Sequence, residues 1–464
     1  MRVYLATALG LAACARVNAP LSQTETEAPV AAAAPPIPPE DATPPAEVAI
    51  VQAQIEPDGN DDPEDPGQGA IPESGRFERV GRPPLALQRI CDLTAFHGAL
   101  YAAHANQPLG TDGATITRYV PPAQEGDGGV KKKGSPFSVA FDWNRPGEPA
   151  EGGGAGQGFL RVHAVGGRLF IPDADPPYNG FGISEGGTEG FVFISDADGK
   201  LARASGEHFH PPPPPKPDGG AGAAVLPRAY HVLDVIRFRG RMIASTGSVP
   251  PKEHAWRGPS PGALHVANES LSRFTYEVGY PVPYKDGVWR LGFMARFKDR
   301  LYAGIQDYDG REPNDFVVVD PPKDAEKISQ DDVRGVRVTE RGGALTLRWV
   351  ADRGKLYWIA LERDGAGVVR VTRDGDAWED VLLPDGVGRP TDVGRFRDGL
   401  VALTERALVR IDREPAEIVA RVDAKKSPFE ITDSFCAAPL GVLDGELYAG
   451  GQRDGSLYRL ASTP

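Results

Sequence analysis

The stretch Leu93-Thr94-Ala95-Phe96-His97-Gly98-Ala99-Leu100-Tyr101 decides how this 464-residue chain is read. An apolar start, an aromatic at the fourth place, a Gly at the turn, one further residue and then Leu-Tyr describe a β-hairpin. The pattern returns six times, at 162–170, 235–243, 294–302, 349–357, 393–401 and 440–448, with Gly167, Gly240, Asp299, Gly354, Asp398 and Gly445 at the turns. Turn-to-turn spacing runs from the forties to the low seventies, enough for a four-stranded sheet with loops of variable length. Second strand pairs fit between the hairpins, as in Gly190-Phe191-Val192-Phe193-Ile194 and Gly367-Val368-Val369-Arg370-Val371. A lone sheet of this kind leaves both faces apolar, so the units must stack, and radial closure protects their edges. The expected fold is all-β, a seven-bladed propeller over residues 76–464.

The ends of the array carry their own signals. The last unit has three evident strands, while Arg76-Phe77-Glu78-Arg79-Val80 precedes the first hairpin without a partner, so this strand is expected to complete the final blade. Cys91 and Cys436 open the first and seventh units, which are neighbours in a closed ring. In an oxidising compartment they form a disulfide clamp; two buried thiols are the alternative.

Composition agrees with a turn-rich fold. The chain has 56 Gly and 45 Pro, its hydrophobic content is 40%, and its mean hydropathy of -0.33 is ordinary for a soluble protein. A net charge of -13 repels polyanions, and the run Lys131 to Lys133 lacks interleaved aromatics, so nucleic acid is not an expected partner.

Before the repeat, Arg2 is followed by an apolar stretch and then Leu11-Ala12-Ala13-Cys14. This resembles the lipobox of bacterial lipoproteins, which implies a signal peptide over 1–13 and a lipid on the Cys14 thiol. The apolar stretch is too short to span a bilayer. Ala15 stands where, by resemblance to enteric lipoproteins, an Asp would signal inner-membrane retention, so an outer-membrane anchor is expected. Cleavage after Val17-Asn18-Ala19, with plain secretion, is the alternative. Residues 14–75 are dominated by Pro, Ala, Gly and acidic residues and cannot bury enough apolar surface to offset their ordering entropy. They read as a disordered tether with an end-to-end distance of roughly 45 Å. The Gly-x-Leu-Tyr element, and Gly455-Ser456-Leu457-Tyr458-Arg459, resemble the loose repeats of kelch-like bacterial surface propellers.

Six positions before the turns stand Asp92, Arg161, Asp234, Phe293, Arg348, Asp392 and Pro439, and the next position is apolar in every copy. The five charged residues are expected to converge at one mouth of the central channel. They could bind Ca2+ or an anionic or sugar ligand, or else form an internal salt-bridge ring. His231, near Asp234, is the candidate general base or metal ligand. His163, His208 and His210 make weaker cases. Thr372-Arg373-Asp374-Gly375-Asp376-Ala377-Trp378 falls one residue short of a sialidase-type Asp-box and reads as a turn between outer strands. No Gly-x-Ser-x-Gly elbow, phosphate loop or Cys-x-x-Cys pair supports hydrolase, nucleotide or zinc chemistry. Insertions at 121–158, 202–227, 246–261 and 307–315 are expected to gather on one face as a binding surface. The expected role is a monomeric, membrane-anchored module that binds a protein or glycan at the cell envelope. A metal-dependent hydrolase or lyase using Asp92, Asp234, Asp392 and His231 is the first alternative, and an envelope assembly scaffold the second.

Overall fold

A computed structural model describes residues 65–462, except 86, 106–113, 123–134, 144–157, 175–188, 203–212, 217, 249–260, 284, 286, 308–309, 424, 426 and 433–434. The signal segment 1–13, the lipidation candidate Cys14, most of the tether, Lys131 to Lys133, His208 and His210 lie outside the described residues.

Strand β1 (Gly75–Gly81) comes first, followed by hairpin-connected strands. The first four-stranded sheet is β2 (Arg89–Phe96), β3 (Ala99–Ala105), β4 (Thr115–Tyr119) and β5 (Phe137–Asp142). The second is β6 (His163–Val165), β7 (Arg168–Pro172), β8 (Glu189–Ile194) and β9 (Gly222–Pro227). The third holds β10 (Ala229–Phe238), β11 (Arg241–Ser248), β12 (Gly262–Ala267) and β13 (Phe274–Tyr280). β14 (Trp289–Phe297), β15 (Arg300–Asp307), β16 (Phe316–Val319) and β17 (Val333–Val336) make the fourth. The fifth is β18 (Leu345–Asp352), β19 (Lys355–Leu361), β20 (Gly367–Thr372) and β21 (Trp378–Asp380). Then follow β22 (Pro390–Phe396), β23 (Gly399–Thr404), β24 (Ala407–Arg410), β25 (Glu417–Arg421), β26 (Leu440–Leu443), β27 (Glu446–Gly450) and β28 (Leu457–Ser462).

Here the structure departs from the repeat count. Instead of seven separate blades, five four-stranded blades stand alone, and the remaining strands form one eight-stranded sheet in the order β22-β23-β24-β25-β1-β28-β27-β26. The cause is β1. It pairs antiparallel with β28 from Gly75↔Ser462 to Gly81↔Leu457, and it also touches β25 through the parallel bridge Gly75↔Ala420. The last two hairpin units are thereby fused through the strand that begins the fold.

The first strands of the units pack on one another in succession, β2 on β6, β6 on β10, then β14, β18, β22 and β26, and β26 returns to β2. That last junction carries the expected disulfide, Cys91–Cys436, joining residues 345 apart in sequence. The ordered fold begins before residue 76. Ile71 is buried, its N–H donates to Asp398 Oδ1 at 2.9 Å, and Pro66 O accepts from Arg397 N at 2.6 Å.

Apolar side chains fill the spaces between neighbouring sheets. Trp349, Trp358, Phe316 and Tyr302 pack between the fourth and fifth, with Trp349 and Trp358 stacked at 5.8 Å; Phe141, Phe159 and Phe193 pack between the first and second. The Asp-box-like stretch is the turn joining β20 to β21. Asp374 Oδ1 accepts from the N–H of Asp376 and Ala377, which holds its pKa down to about 2, and Trp378 packs against Trp349.

Because the sheets are antiparallel meanders, connections alternate between the two ends of the strands. The inner hairpin turns share one end with the segments joining β4 to β5 and β8 to β9. The segments joining β5 to β6, β11 to β12 and β15 to β16 leave from the other. The insertions expected to gather on one face thus leave the strands at both ends, and most of 121–158, 202–227 and 246–261 lies outside the described residues. Several inner turns place a non-glycine residue at positive φ: His97 (49°), Arg239 (50°), Lys298 (50°), Arg353 (47°), Arg397 (51°) and Asp444 (52°). Left-handed backbone costs an L side chain about 1–2 kcal/mol that glycine avoids.

Candidate functional site

The shared register sits at a β-bulge. The ladder between the first two strands skips a residue just before Asp92, Asp234, Arg348 and Asp392, leaving Cys91, Leu233, Leu347 and Thr391 as the extra residues. A bulge bends its strand and re-aims the following side chain. The same device, repeated, turns these charges toward one another.

They form a continuous chain of alternating sign. Arg161 lies between Asp92 (3.5 Å) and Asp234 (3.8 Å), and Arg348 between Asp92 (2.9 Å) and Asp392 (3.1 Å). The expected convergence is present, and none of the five side chains is more than 9% exposed. The free lone pairs go to backbone of the next unit: Asp92 accepts from Val162 N (2.9 Å), Asp234 from Met294 N (2.7 Å) and Asp392 from Leu440 N (2.7 Å). Phe293, the uncharged member of the series, lies under the Arg161 guanidinium at 4.4 Å. Burial pushes the Asp392 carboxyl up to about 6, against the pull of Arg348 and two backbone N–H groups. At neutral pH it is an ionised partner of Arg348.

The pairing of His231 with Asp234 is absent. Three residues along an extended strand span roughly 10 Å. Asp234 instead takes His163 Nε2, from the neighbouring sheet, at 2.6 Å. His231 is buried, with Nδ1 at 2.8 Å from Ala174 O and Nε2 at 2.5 Å from Arg290 Nη2. Arg290 must donate and a carbonyl must accept, so the imidazole donates from Nδ1 and accepts at Nε2, which is its neutral tautomer. Neither nitrogen is available to a metal or substrate in this arrangement.

Next to the ionic chain lie Cys91–Cys436, Leu160, Leu233 and Phe293 in one apolar cluster, with Phe435 packed against it. A narrow crevice of about 10 Å³, room for about one water, is lined by Leu233, Phe293, Gln306, Thr346 and Phe435. Its walls are apolar with two amide or hydroxyl groups, a setting for a contact rather than for acid–base chemistry. Among the described residues, no three His, Cys, Asp or Glu side chains gather in a way that could hold a metal ion. For Ca2+ the three register carboxylates are poorly placed, since a guanidinium stands between each neighbouring pair.

A second buried cluster has no signal in the sequence. The Glu312 carboxylate accepts from Tyr280 Oη (2.8 Å) and from Asn314 N and Nδ2 (3.0 and 2.6 Å), tying the third sheet to the fourth. Burial raises the Tyr280 pKa, and the adjacent carboxylate adds to it. These residues come from a strand end and a loop with no shared spacing, so only the fold brings them together.

No family model matches the chain, and no curated relative does. Solved structures do resemble it in fold. One is a selenomethionine-substituted virginiamycin B lyase from Staphylococcus aureus, at 8% identity and TM-score 0.48, covering 84% of this chain and all of that one. Another is the extracellular domain of a one-component system from B. thetaiotaomicron, at 9% identity and TM-score 0.45, covering 82% of this chain and 40% of that one. A third, the AfRom2 CNH domain, has 10% identity and TM-score 0.42, covering 85% and 98%. At these identities the likeness concerns the propeller fold alone.

Proposed function

We propose that this chain is an exported, lipid-anchored propeller that binds a protein or glycan at the cell envelope and performs no chemistry at its central ionic chain. The observation that carries the reading is that all five charged register residues are buried and partnered with one another or with backbone. A hydrolase or lyase needs a carboxylate or imidazole that can reach substrate, and these are engaged in holding units together. What remains for recognition is the loop-bearing exterior of a rigid scaffold.

The Cys91–Cys436 disulfide supports residence in an oxidising compartment, and Leu11-Ala12-Ala13-Cys14 supports a lipid anchor. The test has two arms. Intact-mass analysis of the protein from its host membrane should find diacylglycerol on Cys14; an N-terminus at Pro20 overturns the anchor. Crosslinking in cells should recover a partner whose capture survives Asp234→Asn but is lost when residues 249–260 and 203–212 are replaced by Gly-Ser linkers. Loss of capture by Asp234→Asn in a folded protein, with the linkers harmless, overturns the exterior-loop reading.

A further inference from the structure

Between the sixth and seventh units, at the end where the inner hairpins turn, lies a cavity of about 230 Å³, partly open to solvent. By volume it holds roughly eight waters, or a molecule of about ten non-hydrogen atoms. Four separate segments wall it: Phe396 and Arg397 at the sixth unit's turn, Glu446 at the start of β27, the end of β28 from Arg459, and Pro72 from the segment before β1. That last segment is fastened to both neighbouring turns. Pro66 O accepts from Arg397 N (2.6 Å), and Ile71 N donates to Asp398 Oδ1 (2.9 Å). Gly67 packs so closely on the seventh unit's turn that a Cβ there would stand 2.5 Å from Gly445 Cα.

Three of the lining residues are charged, and none of the three is neutralised. Arg459 stands opposite Glu78 and Tyr448 in the ladders of β28, but Glu78 is taken by Arg76 at 2.6 Å. Among the described residues, neither Arg459 nor Glu446 makes an ion pair or a side-chain hydrogen bond. Arg397 lies over the Phe396 ring at 4.9 Å and donates from Nη1 to the Ala70 carbonyl (3.2 Å), while its buried Nε has no partner among the described residues. An aromatic face and a carbonyl position a guanidinium without removing its charge. Nearby cations are matched instead. Arg410 has Asp412 at 2.8 Å and Asp398 at 3.3 Å, and Arg395 has Asp352 at 2.8 Å. Of the acids on the two turns, Asp398 is engaged by Ile71 N and Arg410, and Asp444 does not line the cavity.

The signs of the three groups narrow the ligand. A simple anion would bring its charge to Glu446 as well as to the arginines, and a simple cation would meet two guanidiniums. A small molecule with both a carboxylate and an ammonium group satisfies all three. Between the charges, Phe396, Leu460 and Pro72 supply apolar wall. A few placed polar groups on an apolar wall are the usual make-up of a small-molecule site.

We propose that this cavity binds a free α-amino acid. Its carboxylate meets the Arg397 and Arg459 guanidiniums, its ammonium group meets Glu446, and its side chain lies along Leu460 and Pro72. The site goes beyond the envelope-binding role and does not depend on the exterior loops.

The test is isothermal titration calorimetry on the full-length purified chain with each common amino acid in turn. At least one should bind, and its analogues lacking the ammonium group or the carboxylate should each bind at least tenfold more weakly. Arg459→Gln should weaken the amino acid at least tenfold. Glu446→Gln should do the same while leaving the analogue without an ammonium group unchanged or tighter, a split that a folding defect cannot produce. Both side chains reach solvent, so both variants should melt with wild type. Binding of none of the amino acids overturns the proposal. So does undiminished binding by either variant, or equal affinity for an amino acid and its analogue without the ammonium group. Capture of an envelope partner by a chain that binds no amino acid would leave the module reading standing and remove only this site.

Discussion

Removing one guanidinium from the ionic chain should show how tightly the inner strands depend on it. In Arg348→Met the stem is kept and the charge lost, so Asp92 loses a contact at 2.9 Å and Asp392 one at 3.1 Å. At an effective dielectric of about 20, each contact is worth on the order of 5 kcal/mol of Coulomb energy, offset by several kcal/mol of desolvation per ion. The two acids then diverge. Asp92 keeps Arg161 at 3.5 Å, while Asp392 keeps the backbone N–H groups of Leu440 and Val393. Stranding a buried charge costs about 3–5 kcal/mol, and that is the loss expected at pH 8.

The pH dependence separates this account from a simple packing defect. Asp392 has a folded pKa of about 6, above the ordinary carboxylate value of 3.8. The folded state therefore binds the extra proton, and this group's contribution to stability declines as pH rises, ending near pH 6 in wild type. Without Arg348 the folded pKa moves higher still, and the decline continues through neutrality. The deficit of the variant should shrink by about 2 kcal/mol between pH 8 and pH 5. Guanidinium unfolding followed by tryptophan fluorescence at pH 5, 6.5 and 8 measures it. A deficit below about 1 kcal/mol, or one that does not vary with pH, refutes the reasoning.

Other outcomes follow from the same structure. Cys91→Ser with Cys436→Ser should lower stability by about 2–5 kcal/mol, and reductant should destabilise wild type but not the variant; equal sensitivity of both to dithiothreitol would contradict the clamp. His104 and His265, buried with pKa values of about 4, bind fewer protons folded than unfolded, so stability should fall as pH drops below 6.5. By pH 5 the two together should cost about 4 kcal/mol and Asp392 should return about 1; a flat unfolding midpoint between pH 7 and pH 5 would count against these burials. Gly262→Ala puts a Cβ 2.7 Å from Leu291 N and 2.8 Å from Arg290 C, backbone of the next sheet, and should lower stability by about 1–3 kcal/mol in thermal melts, whereas Gly98→Ala meets no atom within 4 Å and tests backbone strain alone.

The parts legible in the sequence are those set by local chemistry. A tight turn between two apolar strands announces itself at His97-Gly98 and at each later copy, and the orphan strand before the first hairpin does pair with β28. Cys91 and Cys436 were readable because closure makes the first and last units neighbours. The number of separate blades was not readable, because it turns on one parallel bridge between Gly75 and Ala420, residues with no motif in common. The register was visible as a column of charges, but not its use. Whether Asp234 faces His231, three residues away, or His163, in another sheet, depends on the bulge at Leu233, and an extra residue in a ladder leaves no mark on alternating hydrophobicity. Arg239 and Arg397 stood in plain sight in Arg-Phe-Arg stretches, and only the fold shows them over the buried rings of Phe238 and Phe396 and bonded to carbonyls of distant segments.

The sign pattern at the register has a structural explanation that accounts for every inner junction. From β2 to β6, Asp92 accepts from Val162 N; from β6 to β10, His163 and Arg161 face Asp234; from β10 to β14, Asp234 accepts from Met294 N. At the step from β14 to β18 the register residue is Phe293, which has nothing to offer, and Trp349 Nε1 donates to its carbonyl at 2.9 Å. Arg348 then reaches Asp392, and Asp392 accepts from Leu440 N. The last register residue is Pro439, with neither side-chain donor nor acceptor, and at this junction alone in the series the disulfide to Cys91 does the joining. A carboxylate suits the position because its two oxygens can serve a guanidinium and the next strand's N–H together, while an arginine must sit between two such acids. The charges are therefore explained by closure of the ring, junction by junction. Two turn cations extend the same logic beyond the register, since Arg239 donates to the carbonyls of Asp299 and Pro322 and Arg353 to that of Asp398, each in the next unit.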